Sequence, residues 1–320
     1  MVQRYKKALV WLGAGPKMAQ LCEPMARILI TGSNGLLGQK LSDLLLGQEG
    51  VEWLATARGE NRHPQGNIPF QSMDVADFTQ TRAVLEAFKP DAVIHTAAMT
   101  QVDDCESQQE LCTRLNVEAV EHLAQLSSEL GFHLVHVSTD FIFDGTKPMY
   151  NEEDAAKPLS FYGHSKWKGE QMVETHASSY SILRTVLVYG RVADMSRSNI
   201  VLWAYGALKK GQTMRVVGDQ FRTPTLAEDL AMGCYLAAVQ KAQGIFNIAG
   251  KDYMSIIELV RRVARFYGLS EASIEEVDSS TLNQPAQRPP ITGLAIEKAR
   301  LELGYEPRSF EEGLALMGLE

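Results

Sequence analysis

The feature that most constrains this chain is the segment "RILITGSNGLLG" at residues 27–38. The run at 27–31, which is apolar or β-branched after Arg27, predicts a buried strand, and leucines at helical spacing follow the segment. Between the two, Gly32, Gly35 and Gly38 form a G-x-x-G-x-x-G turn. Glycines allow a tight turn and close backbone approach, and the following helix offers free N–H groups at its amino end. The segment predicts a nucleotide-binding turn, with a plain tight turn as the alternative.

Strand-like and helix-like segments alternate from this turn to residue 190. The alternation predicts an α/β fold with a Rossmann-type, doubly wound parallel sheet, whose ligands bind at the carboxyl ends of the strands. After the first strand, the strand segments are 52–57, "IPFQSMD" at 68–74, 91–98, 132–139 and 181–190. The clearest helical segments are 79–90, a long helix at 107–130 ended by Gly131, and 162–176.

The last 130 residues are less regular and predict a smaller, mostly C-terminal substrate domain. Its predicted helices lie near 198–210, 226–241, 255–268 and 310–318, and its short strands at 213–217 and 244–248. We therefore expect an N-terminal extension at 1–24 that is non-native or disordered, with Met25 as a candidate start. A nucleotide-binding Rossmann domain then covers 25–190, and a substrate-binding domain covers 191–320 with segments that return to the Rossmann core.

Composition excludes several classes of function. With 320 residues, 45% hydrophobic and 22% charged, the chain is expected to be globular. A net charge of −8 disfavours nucleic acid and anionic membranes as partners, and no apolar run reaches the roughly 20 residues of a membrane span. Cys22, Cys105, Cys112 and Cys234 show no metal-ligand spacing, so we predict no metal site, buried free thiols and a cytoplasmic location.

The end of the second strand distinguishes NAD from NADP. An acidic residue there would hold the ribose 2′-hydroxyl, whereas this chain has Arg58, with Arg62 nearby. An arginine suits a 2′-phosphate, so NADPH is predicted, with NADH and a solvated basic loop as alternatives. Asp74 is either an acceptor for the adenine amine or an ordinary strand-end aspartate. The candidate cofactor contacts are Gly32, Asn34, Gly35, Leu36, Leu37, Gly38, Arg58, Asp74, Val75, Ala97, Ala98 and Lys166.

A proton-transfer group is predicted in "FYGHSKWKGE" at 161–170. Tyr162 and Lys166 are four residues apart and share a helical face. A nearby ammonium favours the phenolate and would lower the tyrosine pKa from its ordinary value of about 10. Ser138 and Thr139 end the fifth strand, at the edge where chemistry is expected. A Y-x-x-x-K pair also arises by chance, so its weight depends on the upstream turn and strand end.

Together, TGxxGxxG, the strand-end Ser-Thr and YxxxK resemble the extended short-chain dehydrogenase/reductases. The stretches at 138–145, 158–166, 219–231 and 288–305 resemble, more narrowly, the dTDP-4-dehydrorhamnose reductases of that family. The resemblance runs from about Arg27 to the C-terminus. It implies NAD(P)H-dependent reduction of a nucleotide-linked 4-keto-6-deoxy sugar in rhamnose biosynthesis.

The resemblance also implies roles for individual residues. Thr139 would orient the substrate oxygen, Tyr162 would be the acid, and Lys166 would tune Tyr162 and anchor the nicotinamide ribose. Asn116 matches an asparagine that supports the lysine through water. The candidate substrate contacts are Thr100, Asp103, Asn199, Arg222 and Arg288. For the two arginines, solvated surface positions are an equal alternative to diphosphate binding.

Three positions depart from the family pattern and leave the substrate open. Met99, Phe141 and Leu187 stand where the reductases usually carry a Tyr or His, a Tyr and a Trp. One alternative is a nucleotide-sugar epimerase, against which Arg58 argues. Another is a non-catalytic, NADP-binding regulatory subunit similar to the methionine adenosyltransferase β subunit. A homodimer also stays open.

Overall fold

The computed structural model describes residues 26–192, 198–282 and 284–319. The predicted extension at 1–24, Met25 and Cys22 lie outside the described residues. The strands in chain order are β1 Ala26–Thr31, β2 Val51–Ala57, β3 Phe70–Ser72, β4 Ala92–His95, β5 His133–Thr139, β6 Thr146–Tyr150, β7 Tyr180–Thr185, β8 Val188–Tyr189, β9 Met214–Val217, β10 Phe221–Arg222, β11 Thr225–Leu226, β12 Gly244–Asn247, β13 Met254–Ser255, β14 Ile274–Val277 and β15 Ile291–Leu294.

The α-helices alternate with these strands through the first half of the chain. They are α1 Leu36–Leu46, α2 Phe78–Phe88, α3 Val102–Ser107, α4 Gln109–Thr113, α5 Ala119–Leu130, α6 Phe161–His176, α7 Ile200–Lys209, α8 Ala227–Gln240, α9 Ile256–Phe266, α10 Glu297–Leu303 and α11 Phe310–Met317. A π-helical turn spans Arg114–Glu118, and 3₁₀ turns span Asp140–Ile142 and Ser279–Thr281.

The main sheet confirms the predicted Rossmann-type fold. Among the described residues it has seven strands in the order β12-β7-β5-β4-β1-β2-β3, all parallel. The chain order reverses between β1 and β4. In such sheets a crevice opens at this reversal, outside the carboxyl ends of the strands. The glycine turn after β1 and the segment after β4 therefore meet at one edge.

Alternating side chains along β1 build a core on each face of the sheet. Ile28 and Ile30 belong to the cluster that includes Leu41 of α1 and Leu230 of α8. Leu29 points the other way, into a cluster with residues of α2 and α5. All three β1 side chains are fully buried. Burial on both faces explains why a parallel strand reads as a continuous apolar run.

The C-terminal region contributes both to the main sheet and to a separate core. Strand β12 joins the edge of the main sheet beside β7. A second apolar cluster is formed mainly by α7, α9, α11 and β9. A smaller sheet has the order β13-β10-β15-β6 and so takes β6 from the first half of the chain. The division into domains at residue 190 stays a prediction.

The long helix predicted at 107–130 is not a regular α-helix. A separate helix, α3, ends at Ser107, and Gln108 leaves helical geometry with φ −122° and ψ 52°. From Gln109 the chain runs through α4, the π turn and α5 before Gly131 ends it in the left-handed conformation at φ 79°. The predicted stop is correct, whereas the π turn was missed. It contains Asn116, which is fully buried.

The prediction of a single strand at 181–190 is also wrong, because the segment forms two separate strands, β7 and β8. Leu187 has φ 42°, a left-handed conformation that non-glycine residues rarely adopt. The chain therefore turns away after β7, and β8 pairs with β11 in a separate two-stranded sheet. The backbone N–H of Thr225 donates to the Leu187 carbonyl at 3.3 Å. The apolar run "VLVY" continues through the turn and gives no sign of it.

Two glycines in helices offer a test of the packing around the π turn. A Cβ added to Gly169 in α6 would lie 2.6 Å from the Asn116 carbonyl oxygen, whereas one added to Gly206 in α7 meets nothing within 4 Å. We expect Gly169→Ala to destabilise the fold by roughly 1–3 kcal/mol through overpacking. The control Gly206→Ala should stabilise it by about 0.5–1 kcal/mol through helix propensity. Urea unfolding measures both, and equal effects would contradict the close contact.

Candidate active site

The glycine turn is shaped for close approach of a ligand to the backbone. Gly32 has φ 72°, and a Cβ there would lie 2.7 Å from the backbone nitrogen of Ala97. A Cβ on Gly38 would overlap the Gly32 carbonyl oxygen. Gly35 is the N-cap of α1, so no side chain caps the helix that begins at Leu36, and its first turn carries no acidic residue. An anion is therefore favoured at this helix end.

The loop after β2 presents a cation beside this turn. Arg58 is exposed, and its guanidinium has no hydrogen bond or ion pair within the described residues. Asn34 shapes the loop, because its side chain donates to the Glu60 carbonyl at 2.8 Å and accepts from the Arg62 N–H at 2.9 Å. The side-chain amide of Asn34, which was predicted as a cofactor contact, is thus hydrogen-bonded to the loop that carries Arg58.

Two buried hydroxyls at the sheet edge have no partner in the part of the chain that the structure describes. Ser33 follows Gly32 in the turn, and Ser138 lies near the end of β5. Each residue is only 3% exposed. A buried hydroxyl without a hydrogen bond costs stability, so a bound dinucleotide with polar groups at both places would satisfy them. The turn and these hydroxyls fit the predicted cofactor.

The remaining predicted cofactor contacts lie at the same edge. Asp74 follows β3, and one carboxylate oxygen accepts from the Ala76 N–H at 2.9 Å. Val75 is buried beside it. Ala97 and Ala98 follow β4 and are half-buried. These positions agree with the predicted crevice, and their contacts with a cofactor stay predictions.

Thr139 is held at the end of β5 by a buried carboxylate. Its hydroxyl donates to Asp140 Oδ1 at 3.2 Å and accepts from the Phe141 N–H at 3.2 Å. The other oxygen of Asp140 accepts from Thr292 at 2.5 Å and lies 3.5 Å from Arg222 Nε. Asp140 is 2% exposed, so this network fixes the Thr139 side chain in one orientation.

Tyr162 lies beside Thr139 in an apolar pocket. It is 8% exposed, and the Phe141 ring packs edge-on against it at 5.6 Å between centroids. Burial raises the pKa of Tyr162 well above 10, and a hydrogen bond with Thr139 only partly opposes this. The expectation that Lys166 would lower this pKa is therefore wrong in this structure. The phenol is protonated at neutral pH, which is the form that donates a proton.

Lys166 follows Tyr162 by one turn of α6, and its ammonium packs against β5. Its Nζ donates to the Val137 carbonyl at 2.8 Å and lies 3.3 Å from His136 Nε2. Burial lowers the pKa of Lys166 from 10.5 to about 8, although the Glu170 carboxylate favours the charged form. The helical spacing placed both groups correctly on α6, but it did not show that the ammonium points into the interior.

Asn116 connects the segment after β4 to α6. Its Oδ1 accepts from the Met99 N–H at 2.9 Å, and its Nδ2 donates to the Met99 carbonyl at 3.0 Å. The same Nδ2 also reaches Ser165 Oγ at 3.0 Å. Asn116 thereby fixes the backbone of Met99 and contacts Ser165, the residue next to Lys166, and its support of the lysine through water stays a prediction.

Two of the predicted diphosphate ligands are engaged within the protein. Arg222 is 3% exposed, and its guanidinium donates to the carbonyls of Phe221, Pro289 and Pro290. Its assignment to the substrate finds no support in this geometry. Arg288 pairs with Asp103 at 2.8 Å. This pair ties the loop before β15 to α3, and it lowers the pKa of the Asp103 carboxyl.

The other two substrate candidates lie at the start of α7 and in the segment after β4. Asn199 caps α7 through the Leu202 N–H at 3.2 Å and donates to the Gly190 carbonyl at 2.7 Å. Its amide therefore holds the chain after β8 against α7. Thr100 is exposed in the segment between β4 and α3. Contact of either residue with a substrate stays a prediction.

The sequence analysis missed three residues of this site. Asp140, His136 and Ser165 are all buried and touch Thr139, Lys166 or Asn116. A signal existed for Asp140 and Ser165, because both are polar residues adjacent to or between the predicted catalytic ones. For His136 the signal was a polar residue in the apolar run of β5.

Other kinds of site have no support in the described residues. No group of three or more His, Cys, Asp or Glu side chains among residues 26–192, 198–282 and 284–319 is arranged to hold a metal ion. No helix in those ranges is long and apolar enough to cross a membrane. Cys105, Cys112 and Cys234 are buried free thiols.

A parallel Rossmann sheet with a glycine turn after β1, and Thr139, Tyr162 and Lys166 at the carboxyl edge of β5, defines an extended short-chain dehydrogenase/reductase type of protein. The family model described as the RmlD substrate binding domain matches residues 26–318. The chain belongs to this family, which confirms the resemblance drawn from its motifs.

Solved and curated relatives extend over nearly the whole chain. It is similar to a dTDP-4-dehydrorhamnose reductase from Clostridium acetobutylicum, with 30% identity, TM-score 0.80 and coverage of 91% of this chain and 98% of that one. The Bacillus anthracis dTDP-4-dehydrorhamnose reductase, solved in complex with NADP, is 26% identical with TM-score 0.77, over 91% and 98% of the two chains. Methionine adenosyltransferase 2 subunit beta of Danio rerio is 29% identical over 90% of this chain and 88% of its own length.

The buried ammonium should cost the fold stability. Because the Lys166 pKa is about 8 when folded and 10.5 when unfolded, the unfolded chain binds more protons between these pH values. The contribution of Lys166 to stability therefore rises with pH through this window, and the full cost applies below pH 8.

We expect Lys166→Met to raise the free energy of unfolding at pH 7 by on the order of 2 kcal/mol. The gain should shrink as pH approaches 10.5. The control Lys168→Met changes an exposed lysine on the same helix and should have little effect. Urea unfolding across pH measures both, and a loss of stability confined to Lys166→Met would contradict the burial argument.

Proposed function

We propose that the protein reduces a nucleotide-linked 4-keto-6-deoxy sugar with NADPH, as a dTDP-4-dehydrorhamnose reductase-like enzyme of deoxysugar biosynthesis. The observation that carries the proposal is the meeting of Thr139, Tyr162 and Lys166 at the sheet edge, next to the glycine turn. The similarity to reductases over 91% of the chain supports the same chemistry.

The crevice between β1 and β4 would hold the cofactor. The N-terminus of α1 would bind its diphosphate, Arg58 the 2′-phosphate, and Lys166 the nicotinamide ribose. When bound, the reduced nicotinamide supplies the hydride. NADPH is favoured over NADH because Arg58 directly follows β2, and no carboxylate lies between Thr56 and Gly59.

Proton donation falls to Tyr162. Its raised pKa keeps the phenol protonated at neutral pH, so the resting site is prepared for reduction of a ketone. Thr139 has one O–H, which donates to Asp140 in this structure, and it would turn this O–H to the substrate oxygen beside the phenol. Burial, and not the Lys166 ammonium, sets the pKa of Tyr162 in this structure, so Lys166 enters the proposal as the anchor of the nicotinamide ribose.

An apolar wall faces the catalytic phenol. Met99 and Phe141 pack in one cluster with Tyr162. Such a wall suits the methyl group of a 6-deoxy sugar better than a hydroxymethyl group, because a buried hydroxyl would lack a partner there. This supports a 6-deoxy substrate, although the usual tyrosine is replaced by Phe141.

The reductase proposal is tested with NADPH and a dTDP-linked 4-keto-6-deoxy hexose. We expect loss of reduced-nicotinamide absorbance, and Tyr162→Phe should lower kcat by about 10²–10⁴-fold because it removes the acid. NADPH affinity should change little. Tyr235→Phe, a half-buried tyrosine of α8, is the control. Full activity of Tyr162→Phe would refute the assignment of the acid.

Cofactor preference is tested separately at Arg58. Arg58→Ala should weaken NADPH binding about tenfold to a hundredfold, since a charge-assisted hydrogen bond contributes roughly 1.5–3 kcal/mol. NADH binding should be unchanged. Arg300→Ala, at an exposed arginine paired with Glu306, is the matched control. Equal weakening of NADPH and NADH would show that Arg58 does not read the 2′-phosphate.

A second candidate is a regulatory subunit that binds NADP without turnover. The similarity to methionine adenosyltransferase 2 subunit beta over 90% of the chain favours it. NADPH binding without reduction of any nucleotide sugar, together with a change in the activity of an added methionine adenosyltransferase, would support this function over the first. A homodimer and a cytoplasmic location stay predictions for either.

A further inference from the structure

Two buried histidines lie side by side under the catalytic lysine. His95 of β4 and His136 of β5 are register partners in the parallel sheet. Their rings stack with 5.6 Å between centroids and 20° between planes, and the residues are 2% and 0% exposed. His136 Nε2 lies 3.3 Å from Lys166 Nζ. Two buried imidazoles packed against each other between neighbouring strands require a physical reason.

Towards the lysine, a neutral His136 can only accept a hydrogen bond. Burial, the Lys166 ammonium and His95 hold the pKa of His136 well below its ordinary value, so the ring is neutral. The ammonium has three N–H groups. One donates to the Val137 carbonyl and a second points at His136 Nε2. Two acceptors on β5 thus fix the rotation of the ammonium and leave one N–H free to point elsewhere.

We propose that His136 is a positioning residue, which holds the Lys166 ammonium charged and turned so that its third N–H faces the cofactor ribose. The proposal rests on the proposed function, because it takes Lys166 as the ribose anchor. It adds a residue that no motif of the site contains, and it assigns a role to a buried group that would otherwise only cost stability.

His95 supports the ring of His136 and connects it to the glycine turn. Its Nδ1 lies 2.8 Å from the Thr31 hydroxyl, and Thr31 is the last residue before Gly32. The Ala97 N–H also donates to this hydroxyl at 3.4 Å. Successive contacts therefore connect the predicted diphosphate site to the predicted nicotinamide site. They run from Thr31 through His95 and His136 to Lys166.

The other groups around Lys166 do not replace His136. Glu170 favours the ammonium from the same helix, but its carboxylate is engaged by Arg184 of β7 at 2.8 Å. Cys112 of α4 also favours the charged form. Neither is a hydrogen-bond partner of Nζ, so loss of His136 leaves the ammonium with the Val137 carbonyl as its one acceptor among the described residues.

The proposal is tested with two amide replacements of His136. In His136→Gln the amide occupies the place of Nε2 and can still accept from Lys166, whereas in His136→Asn it occupies the place of Nδ1 and falls short. His133→Gln is the control, since His133 is a buried histidine of the same strand whose ring contacts Ser179 and Ser181 instead. Circular dichroism and thermal melting verify folding, and His136→Leu replaces the Asn variant if that variant does not fold.

The first measurement is the Lys166 pKa in the ligand-free protein, by NMR of ¹³C-labelled lysine with the signal assigned through Lys166→Met. Starting from about 8, we expect a fall of about one unit in His136→Asn and little change in His136→Gln. The second is NADPH affinity by fluorescence. From the charged fractions of Lys166, it should weaken in His136→Asn by roughly twofold at pH 7 and by about tenfold above pH 8, and little in His136→Gln.

An unchanged Lys166 pKa and unchanged NADPH affinity in His136→Asn would overturn the proposal. Equal decreases in the Lys166 pKa and in NADPH affinity in the Gln and Asn variants would also overturn it. They would show that His136 acts through its packing and does not accept a hydrogen bond from Lys166. Both measurements are made without a sugar substrate. If no nucleotide sugar is reduced while the Lys166 pKa falls as expected, the proposed reaction fails and the role of His136 stands.

Discussion

The site depends on one buried carboxylate. Asp140, at the end of β5, accepts from Thr139 of the main sheet and from Thr292 of the smaller sheet, and it faces the Arg222 guanidinium. Removing one partner of such a buried pair costs about 3–5 kcal/mol, because the other charge is left uncompensated. The same residue therefore orients the Thr139 hydroxyl and connects the smaller sheet to the end of β5. Arg222 extends this connection to the backbone of Pro289 and Pro290.

Burial sets the protonation of the two groups on α6. It raises the pKa of Tyr162 and lowers that of Lys166 to about 8, so desolvation acts on both against the charged form. A neutral acid is the result at Tyr162. At Lys166 the Glu170 carboxylate partly offsets desolvation, and the ammonium contacts two acceptors on β5. The π turn brings Asn116 into contact with Ser165, and this hydrogen bond holds α6 at the residue next to Lys166.

Much of the fold followed from local pattern. The glycine turn, the apolar run of β1 and the strand–helix alternation predicted the parallel sheet and the edge at which ligands bind. The Thr139, Tyr162 and Lys166 positions were predicted because strand ends and helical spacing are properties of neighbouring residues. The π turn and the turn at Leu187 were missed, since each is imposed by contacts with distant segments and leaves the apolar pattern unchanged.

The sequence by itself determined which residues stand at the crevice, since a strand, a glycine turn and a helix are specified by residues close in the chain. Only the tertiary structure decided what those residues do there. It turned Arg222 inward, paired Arg288 with Asp103, and set Lys166 on His136. It also reversed the expected shift in the pKa of Tyr162. The physical reason is that burial and hydrogen-bond partners come from segments far apart in sequence, and these decide whether a charge is exposed, paired or suppressed.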